Sequence, residues 1–152
     1  TVGAAMEGYL FGIPAMAVSQ IDKGWAHVEA AAQKVKNLIT QMQSGDLLHA
    51  QPWLLNVNIP NLPINQIRAP QICRLGRRHA AEPVITQMDP RGQTMYWIGN
   101  AGPAMDDSKG TDFHAAKQGH MVVTPLKVDL TEHHSMDVWT QAFERLHVSE
   151  SA

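Results

Sequence analysis

The residues best suited to chemistry stand at the start of the chain, in the stretch TVGAAMEG. Thr1 has the side chain of a helix N-cap, and the apolar residues that follow it recur at helical spacing. The first turn of a helix carries backbone N–H groups without intrahelical partners, and Gly3 leaves room for a ligand oxygen to approach them. The sequence therefore predicts a helix whose amino end can bind an anion. Bound water at the same amides is the alternative interpretation, and these residues do not decide between the two.

Two other groups of residues invite a chemical interpretation. The first is a set of histidines and aspartates in one region, made of His114, His120, His133, His134, Asp106, Asp107 and Asp112. Their spacing shows no HxxxH or HExxH pattern and no cysteine joins them, so surface histidines are a better interpretation than a metal site. The second is a basic run after a predicted strand, made of Arg74, Arg77, Arg78 and His79. Such a run is able to bind phosphate, but a solvated turn is the better interpretation.

These groups must be positioned by an alternation of helices and strands. Gly12 and Pro14 end the first helix, and the apolar run 15–18 predicts a strand buried on both faces, as in a parallel sheet. A second helix is predicted over residues 22–42, with Lys34 facing away from its apolar stripe. Alternating residues predict a strand over 53–60.

The central part of the sequence predicts a hairpin. A further strand, weakened by Pro70, is predicted over residues 68–75. The turn Asp89-Pro90-Arg91-Gly92 has proline second and glycine fourth, which is typical of a type I turn between strands 84–88 and 94–98. We interpret this hairpin as an appended arm, and we predict a loop over residues 99–110.

The last third returns to the helix and strand pattern. Thr111 is predicted to cap a short helix that ends at Gly119, and a strand is predicted over 121–126, with Pro125 at an edge or a strand end. Thr131 or Ser135 is predicted to cap a final helix. Its apolar stripe consists of Trp139, Ala142, Phe143 and Leu146. A terminal helix with two aromatic residues needs a surface to pack on, either its own domain or a partner.

Composition limits the class of protein. A chain of 152 residues is long enough for one domain with a core, and 12 basic against 14 acidic residues exclude a general nucleic-acid or anionic-membrane surface. There is no apolar run long enough for a transmembrane helix. Cys73 is the single cysteine, which excludes an internal disulfide, favours a buried thiol and is typical of a cytoplasmic protein.

A series of short motifs carries a family resemblance. TVGAAMEG, GIPAMAVS, LNVNIP, RLGRRH, DPRG with YWIG, GTDF and MVVTPLKVDLTEH occur in this order. The series resembles the SurE family of survival proteins, which are metal-dependent phosphatases acting on nucleoside monophosphates. The resemblance implies an α/β fold with a Rossmann-like three-layer α/β/α core, an added β-hairpin arm and a C-terminal helix. It divides the chain into a core over 1–80, an arm, loop and returning strand over 81–128, and an oligomerisation tail over 129–152.

The resemblance also implies the cofactor and part of the site. In this family a pair of aspartates, with a serine and an asparagine, binds a divalent metal, with Mg²⁺ or Mn²⁺ expected here. Those residues precede the segment that matches Thr1, so we expect the N-terminal part to be missing and the metal ligands to lie upstream. Thr1, Val2 and Gly3 match the segment that lines the phosphate end of the active site. The matches to the GTDF loop, expected near the substrate cleft, are Gly110, Thr111 and Asp112.

Subunit association is a further implication of the resemblance, which points to a homodimer or homotetramer. The arm residues that match the association segment are Asp89, Arg91, Tyr96 and Trp97. The matches in the tail, which exchanges between subunits in this family, are Asp129, His133 and Trp139.

Three hypotheses follow for the function. The first is a nucleotidase that hydrolyses 5′- and 3′-nucleoside monophosphates, with short polyphosphate as a further substrate, and that lacks activity when this chain is expressed alone. The second is a non-catalytic oligomerisation and scaffold region. The third is an unrelated protein that binds a metal through histidines.

Overall fold

The computed structural model describes residues 1–22, 24–45, 52–78, 83–99 and 102–149. The helices are α1 Val2–Leu10, α2 Val28–Ser44, α3 Asp112–Lys117 and α4 Met136–Ser149, with a 3₁₀ turn at His133–Ser135. The strands are β1 Ala15–Gln20, β2 Leu54–Ile59, β3 Arg68–Ile72, β4 Arg77–Arg78, β5 Ile85–Met88, β6 Thr94–Trp97, β7 Ala104–Asp106 and β8 His120–Pro125. None of the helices among the described residues is long and apolar enough to cross a membrane.

The first helix and the turn after it form as the sequence predicts. Gly12 takes a φ of 78°, and the N–H of Ile13 donates to the Gly8 carbonyl at 3.1 Å, which closes the end of α1 and directs the chain into β1. Thr1 occupies the N-cap position, but its side chain makes no capping hydrogen bond. The helix is therefore correctly predicted, whereas the predicted hydroxyl cap is not formed.

The second helix begins later than predicted. Asp22 has a φ of 71° and Trp25 a φ of 45°, both outside the right-handed helical region, so α2 begins at Val28. Its apolar stripe packs on the sheet as expected. Lys34 does not face away, because its Nζ donates to the Ile67 carbonyl at 2.9 Å and this ties the helix to the loop before β3.

Four strands form the main sheet in the order β1-β2-β8-β3. β1 runs parallel to β2, β8 runs antiparallel to β2, and β3 runs parallel to β8. Pro70 lies in β3, at the edge of the sheet, where a missing donor is tolerated, and the pairing register shifts beside it. Pro125 ends β8, as the strand-end alternative predicts.

Helices cover both faces of this sheet and make three layers. On one face, α2 packs against the core of Val57, Ile59 and Met121, each at most 1% exposed. On the other face, α3 packs through Ala115 on Val122, and α1 lies along β1 and β2. This confirms the three-layer α/β/α core.

β1 is less buried than predicted. Ala17 is the one residue of β1 that is buried, and Val18 is 37% exposed. The reason is that β1 forms an edge of the sheet among the described residues, with β2 as its paired neighbour. The prediction of a parallel strand is confirmed, and the prediction of burial on both faces is wrong.

Two small two-stranded sheets lie beyond the main one. The arm is the hairpin of β5 and β6, and the base ribbon is the antiparallel pair of β4 and β7. The base ribbon includes residues 104–106, which the sequence predicts as part of a continuous loop. That loop prediction is wrong there, because β7 pairs with β4, and the paired residues Arg78 and Ala104 are 26 positions apart in the sequence.

Candidate functional site

The amino end of α1 offers unpaired backbone donors. The N–H groups of Val2, Gly3 and Ala4 have no acceptor within the helix, since they belong to its first turn. Thr1 and Gly3 are exposed, and Thr1 does not use its hydroxyl to cap them. A Cβ at Gly3 has no atom of the described residues within 4 Å. The geometry leaves open space in front of these donors.

The position of this helix end relative to the sheet follows from its turn. Gly8, near the carboxyl end of α1, lies against Ala15 at the beginning of β1, with 3.7 Å between Ala15 Cβ and a Cβ built at Gly8. Because α1 runs back along β1 and β2, its amino end lies toward the carboxyl ends of these parallel strands. Ligands of open α/β sheets bind at that edge.

The segment 110–113, GTDF, forms a tightly bonded start of α3. Thr111 Oγ1 donates to the Ser108 carbonyl at 2.8 Å and accepts from His114 N–H at 3.2 Å, so the predicted N-cap is confirmed. Asp112 Oδ1 accepts from the N–H groups of Gly76 and Phe113 at 2.7 and 2.9 Å. Thr111 is fully buried and Asp112 is 9% exposed, and Thr111 Oγ1 and Asp112 Oδ1 are hydrogen-bonded within the chain.

The structure does not bring the two predicted binding segments together. Thr111 forms a bridge with Arg74, just beyond the carboxyl end of β3. Since β3 and β8 run opposite to β1 and β2, this bridge lies toward the amino ends of β1 and β2. The segments containing Gly3 and Thr111 therefore lie toward opposite ends of the main sheet. A substrate contact by Gly110, Thr111 or Asp112 stays a prediction.

The predicted basic run is largely used within the chain. Arg74 Nη1 lies 2.7 Å from Asp106 Oδ2, and Arg74 Nη2 donates to Ser108 Oγ at 3.0 Å. The guanidinium of Arg78 lies over the ring of Phe113, 5.4 Å from its centroid. Arg77 is exposed in β4, and His79 lies outside the described residues. These contacts support the turn-forming interpretation over a phosphate site.

Hydrogen bonds perturb the acidic groups beside α3. The bond from Arg74 is the main cause that holds the pKa of Asp106 far below its usual range, and bonds from Ser108 add to it. The Lys117 ammonium bonded to Asp107 likewise lowers the pKa of that carboxyl. Burial, followed by the nearby charge of Asp112, raises the pKa of the Cys73 thiol, as expected for an unreactive buried cysteine.

The histidines do not assemble a metal site within the described ranges. No group of three or more histidine, cysteine, aspartate or glutamate side chains there is arranged to hold a metal ion. His120 Nδ1 contacts the Ala69 carbonyl at 2.9 Å, His114 contacts Gln118, and His133 contacts Asp129. Each of these three histidines has a local hydrogen-bonding partner.

The arm has the predicted turn and an exposed apolar surface. Asp89 Oδ1 accepts from the N–H groups of Arg91 and Gln93, both at 2.8 Å, and Gly92 N–H closes the turn onto the Asp89 carbonyl at 3.0 Å. Tyr96 is 71% exposed and Trp97 is 54% exposed. Met88, Ile85 and Ile98 are also exposed. Asp89 and Arg91 thus shape the turn, whereas the aromatic residues face outward.

The terminal helix is preceded by a bonded turn. His133 Nε2 lies 2.7 Å from Asp129 Oδ2, and this bond is the main cause that lowers the pKa of Asp129. The Glu132 carboxylate accepts from His134 N–H and caps the 3₁₀ turn. A cap of α4 by Thr131 or Ser135 stays a prediction. Met136, Val138, Trp139 and Phe143 are all more than half exposed on α4.

Two contacts around the GTDF segment are not among the sequence predictions. The first involves Gly76, where a Cβ would overlap the Asp106 carbonyl and the Phe113 ring. The glycine in RLGRR is a signal for such close backbone approach. The second is the Arg74–Asp106 pair, which joins residues 32 positions apart and has no local spacing signal.

Comparisons with known proteins give a consistent result. The family profile described as Survival protein SurE matches residues 1–82. The chain is 62% identical over 146 residues to the 5′-nucleotidase SurE of Albidiferax ferrireducens, covering 96% of this chain and 58% of that protein. It is 58% identical to the 5′-nucleotidase SurE of Polaromonas naphthalenivorans, covering 96% of this chain and 59% of that protein. The chain thus spans about three fifths of these curated relatives.

A solved structure has the same fold. The crystal structure of the SurE protein from Aquifex aeolicus matches with a TM-score of 0.71 and 34% identity, covering 91% of this chain and 55% of that chain. The main sheet and its helices therefore correspond to a known arrangement.

Proposed function

This chain belongs to the SurE survival protein family, and we propose on that basis that it is part of a metal-dependent phosphatase that hydrolyses nucleoside 5′-monophosphates. The relatives that it matches are named 5′-nucleotidases, which supports a nucleotide substrate. Activity on 3′-nucleotides and short polyphosphate is part of the same proposal. The single cysteine supports the cytoplasm as its compartment.

The observation that carries the proposal is the open amino end of α1. Backbone N–H groups at this end point out of the helix, and the Thr1 side chain does not cap them. The helix dipole adds a positive potential at the same end. A phosphate oxygen bound there receives hydrogen bonds from Val2 and Gly3. Charge that develops on the phosphoryl oxygens during hydrolysis is stabilised by the same donors, because they are already oriented and need no reorganisation.

The metal belongs to the proposal as well. The described residues do not fit a metal site, since no three suitable side chains meet. We propose, from the family resemblance, that aspartates upstream of Thr1 in the longer protein hold Mg²⁺ or Mn²⁺. When bound, the ion supplies Lewis-acid stabilisation of the phosphoryl group. The part assigned to this chain is to hold and orient the phosphate at Thr1, Val2 and Gly3.

Substitution of Gly3 tests the phosphate site in the full-length protein. Gly3→Pro removes one donor, and we expect kcat/KM for a nucleoside monophosphate to fall about 10²-fold, the usual effect of losing one such donor. Gly3→Ala keeps the N–H but adds a methyl group. Because this methyl meets no atom of the described residues, a fall in kcat/KM here reports an obstructed ligand rather than a disturbed fold.

Gly8→Ala is the matched control for these variants. It makes the same substitution in the same helix, where the new Cβ makes an ordinary contact with Ala15. We expect its kcat/KM to stay at the wild-type value. Wild-type kcat/KM in a folded Gly3→Pro protein, checked by its melting temperature, contradicts the proposed role of the helix end.

A second candidate function rests on the arm and the tail. Exposed aromatic residues on β6 and α4 favour an oligomerisation or scaffold role, through Tyr96, Trp97 and Trp139. We propose a homodimer or homotetramer in which the arm, within the segment 81–128, and the tail, over 129–152, contact other subunits. Sedimentation of the full-length protein separates the outcomes, because a monomer at high concentration contradicts association while leaving the phosphatase proposal testable.

A further inference from the structure

The segment that contains the arm leaves the main sheet and returns to it at the same place. The chain passes from Arg74 through β4 into the arm and comes back through β7 to Ser108. Both the outgoing and the incoming strand meet the beginning of α3 there. The contacts of this meeting point join the two strands to α3.

The outgoing strand is held by α3 through two contacts. Gly76 N–H donates to Asp112 Oδ1 at 2.7 Å, and the same oxygen accepts from Phe113 N–H at 2.9 Å. Two residues further, the Arg78 guanidinium lies over the Phe113 ring. Asp112 Oδ1 therefore joins the backbone of the outgoing strand to the backbone of α3.

The incoming strand is held by Thr111 and Arg74. Thr111 donates twice to the Ser108 carbonyl, from its Oγ1 at 2.8 Å and from its N–H at 3.1 Å. Arg74, at the outgoing side, pairs with Asp106 of the incoming strand at 2.7 Å. The two strands are thus tied to α3 and to each other.

Gly76 shows how closely these elements pack. A Cβ at this position would overlap the Asp106 carbonyl oxygen of β7 and lie 2.5 Å from the Phe113 ring. Glycine is required here because the outgoing backbone passes between the incoming strand and α3. A looser arrangement would remove one of the two N–H donors of the buried Asp112 Oδ1, which is costly.

We propose that residues 110–113 form a clamp that fixes the base ribbon of the arm, and that Asp112 is its positioning residue. The inference rests on the proposed role of the arm in subunit association. A ribbon of two short strands is marginally stable without packing against another element, so its order depends on the clamp. An arm whose base is ordered beforehand loses less conformational entropy when it binds another subunit.

The test uses Asp112 variants of the full-length protein. Asp112→Ala removes the acceptor, whereas Asp112→Asn keeps an oxygen that accepts from both N–H groups. Hydrogen exchange of the amides over 74–78 and 104–108 is measured together with the dissociation constant of the subunits. Asp22→Asn is the matched control, since Asp22 is exposed just beyond the carboxyl end of β1, toward the opposite end of the main sheet from the clamp.

We expect faster hydrogen exchange in the base ribbon and no change in the main sheet. In Asp112→Ala, exchange of the base ribbon accelerates about tenfold or more and association weakens, while the amides of β2 and β8 exchange at the wild-type rate. Asp112→Asn and Asp22→Asn stay near wild type in both measurements. Wild-type exchange in Asp112→Ala, or equal acceleration in β2 and β8, overturns the clamp.

A second variant covers the case in which Asp112→Ala does not fold. Arg78→Ala removes the contact with Phe113 from an exposed side chain, and we expect faster exchange over 74–78 with unchanged β2 and β8. Unchanged exchange over 74–78 counts against the clamp. If the wild-type protein is monomeric, the association proposal fails, and the exchange measurements still decide whether the clamp exists.

Discussion

In the main sheet Val57 and Ile59 are fully buried, whereas in the arm Tyr96 and Ile98 are 71% and 89% exposed. Both regions have strands with β-branched residues, which pair as β1 with β2 in the sheet and as β5 with β6 in the arm. The difference lies in what covers them: helices cover the sheet, whereas the apolar residues of the arm are exposed among the described residues. Apolar residues stabilise the fold in the sheet, and in the arm they form the surface that we propose for subunit association.

The largest expected effect comes from a matched pair of substitutions in these two regions. Ile59→Ala leaves a cavity in the packed core, and we expect it to lower the free energy of unfolding by about 2–5 kcal/mol. Ile98→Ala makes the same change on an exposed residue, and we expect a change within about 0.5 kcal/mol. Urea unfolding of each variant measures both values.

Equal losses for the two variants would break the comparison. They would mean that Ile98 is buried in the protein in solution, by a partner or by residues outside the described ranges. Measurement at several protein concentrations separates these cases, because a loss that depends on concentration reports burial between subunits.

A polar pair of substitutions sharpens the comparison at the clamp. Thr111→Val removes a fully buried hydroxyl and leaves the Ser108 carbonyl and His114 N–H without this partner, which we expect to cost about 1–3 kcal/mol. Thr140→Val makes the same change on an exposed position of α4, with an expected change within about 0.5 kcal/mol. Thermal unfolding measures the difference.

Thr111→Ser separates the hydroxyl from the methyl group. It keeps both hydrogen bonds and loses one buried methyl, so we expect about 0.8 kcal/mol. If Thr111→Ser costs more than Thr111→Val, packing contributes more than hydrogen bonding to the start of α3. The clamp then depends on shape more than on its polar contacts.

The parts of the fold that the sequence predicted have local causes. Gly12 ends α1 because it takes a positive φ, and the Asp89 carboxylate organises the arm turn through residues two and four positions later. The family resemblance supplied the layer order. Short-range patterns of this kind leave a signal in any window of a few residues.

The parts that were missed depend on distant residues. β7 exists because it pairs with β4, and nothing within residues 104–106 specifies that partner. The exposure of Val18 depends on which strand lies beside β1. The engagement of Asp112 by Gly76 joins residues 36 positions apart, so no local spacing in the GTDF motif predicts it. The residue types indicate which side chains could take part in chemistry, whereas the partners of those side chains follow only from the fold.

The smallest expected effect concerns the Asp106 carboxyl of the base ribbon and its pairing with Arg74. The Arg74 guanidinium depresses the pKa of Asp106 in the folded protein. A carboxyl with a depressed folded pKa stabilises the fold at neutral pH, and this contribution is lost as the pH falls from about 4, the unfolded value, through the folded value. Because the pair is partly exposed, the contribution is small and weakens with added salt.

An NMR titration of the Asp106 carboxyl carbon measures this effect. We expect a midpoint below about 3.9 in the wild type and a higher midpoint in Arg74→Met, which removes the main cause of the depression. Arg91→Met, in the turn of the arm, serves as the matched control and leaves the midpoint unchanged. An Asp106 midpoint that does not respond to Arg74→Met would show that Ser108 alone sets it. The two strands of the base ribbon would then be joined by backbone pairing and by the clamp, without help from this ion pair.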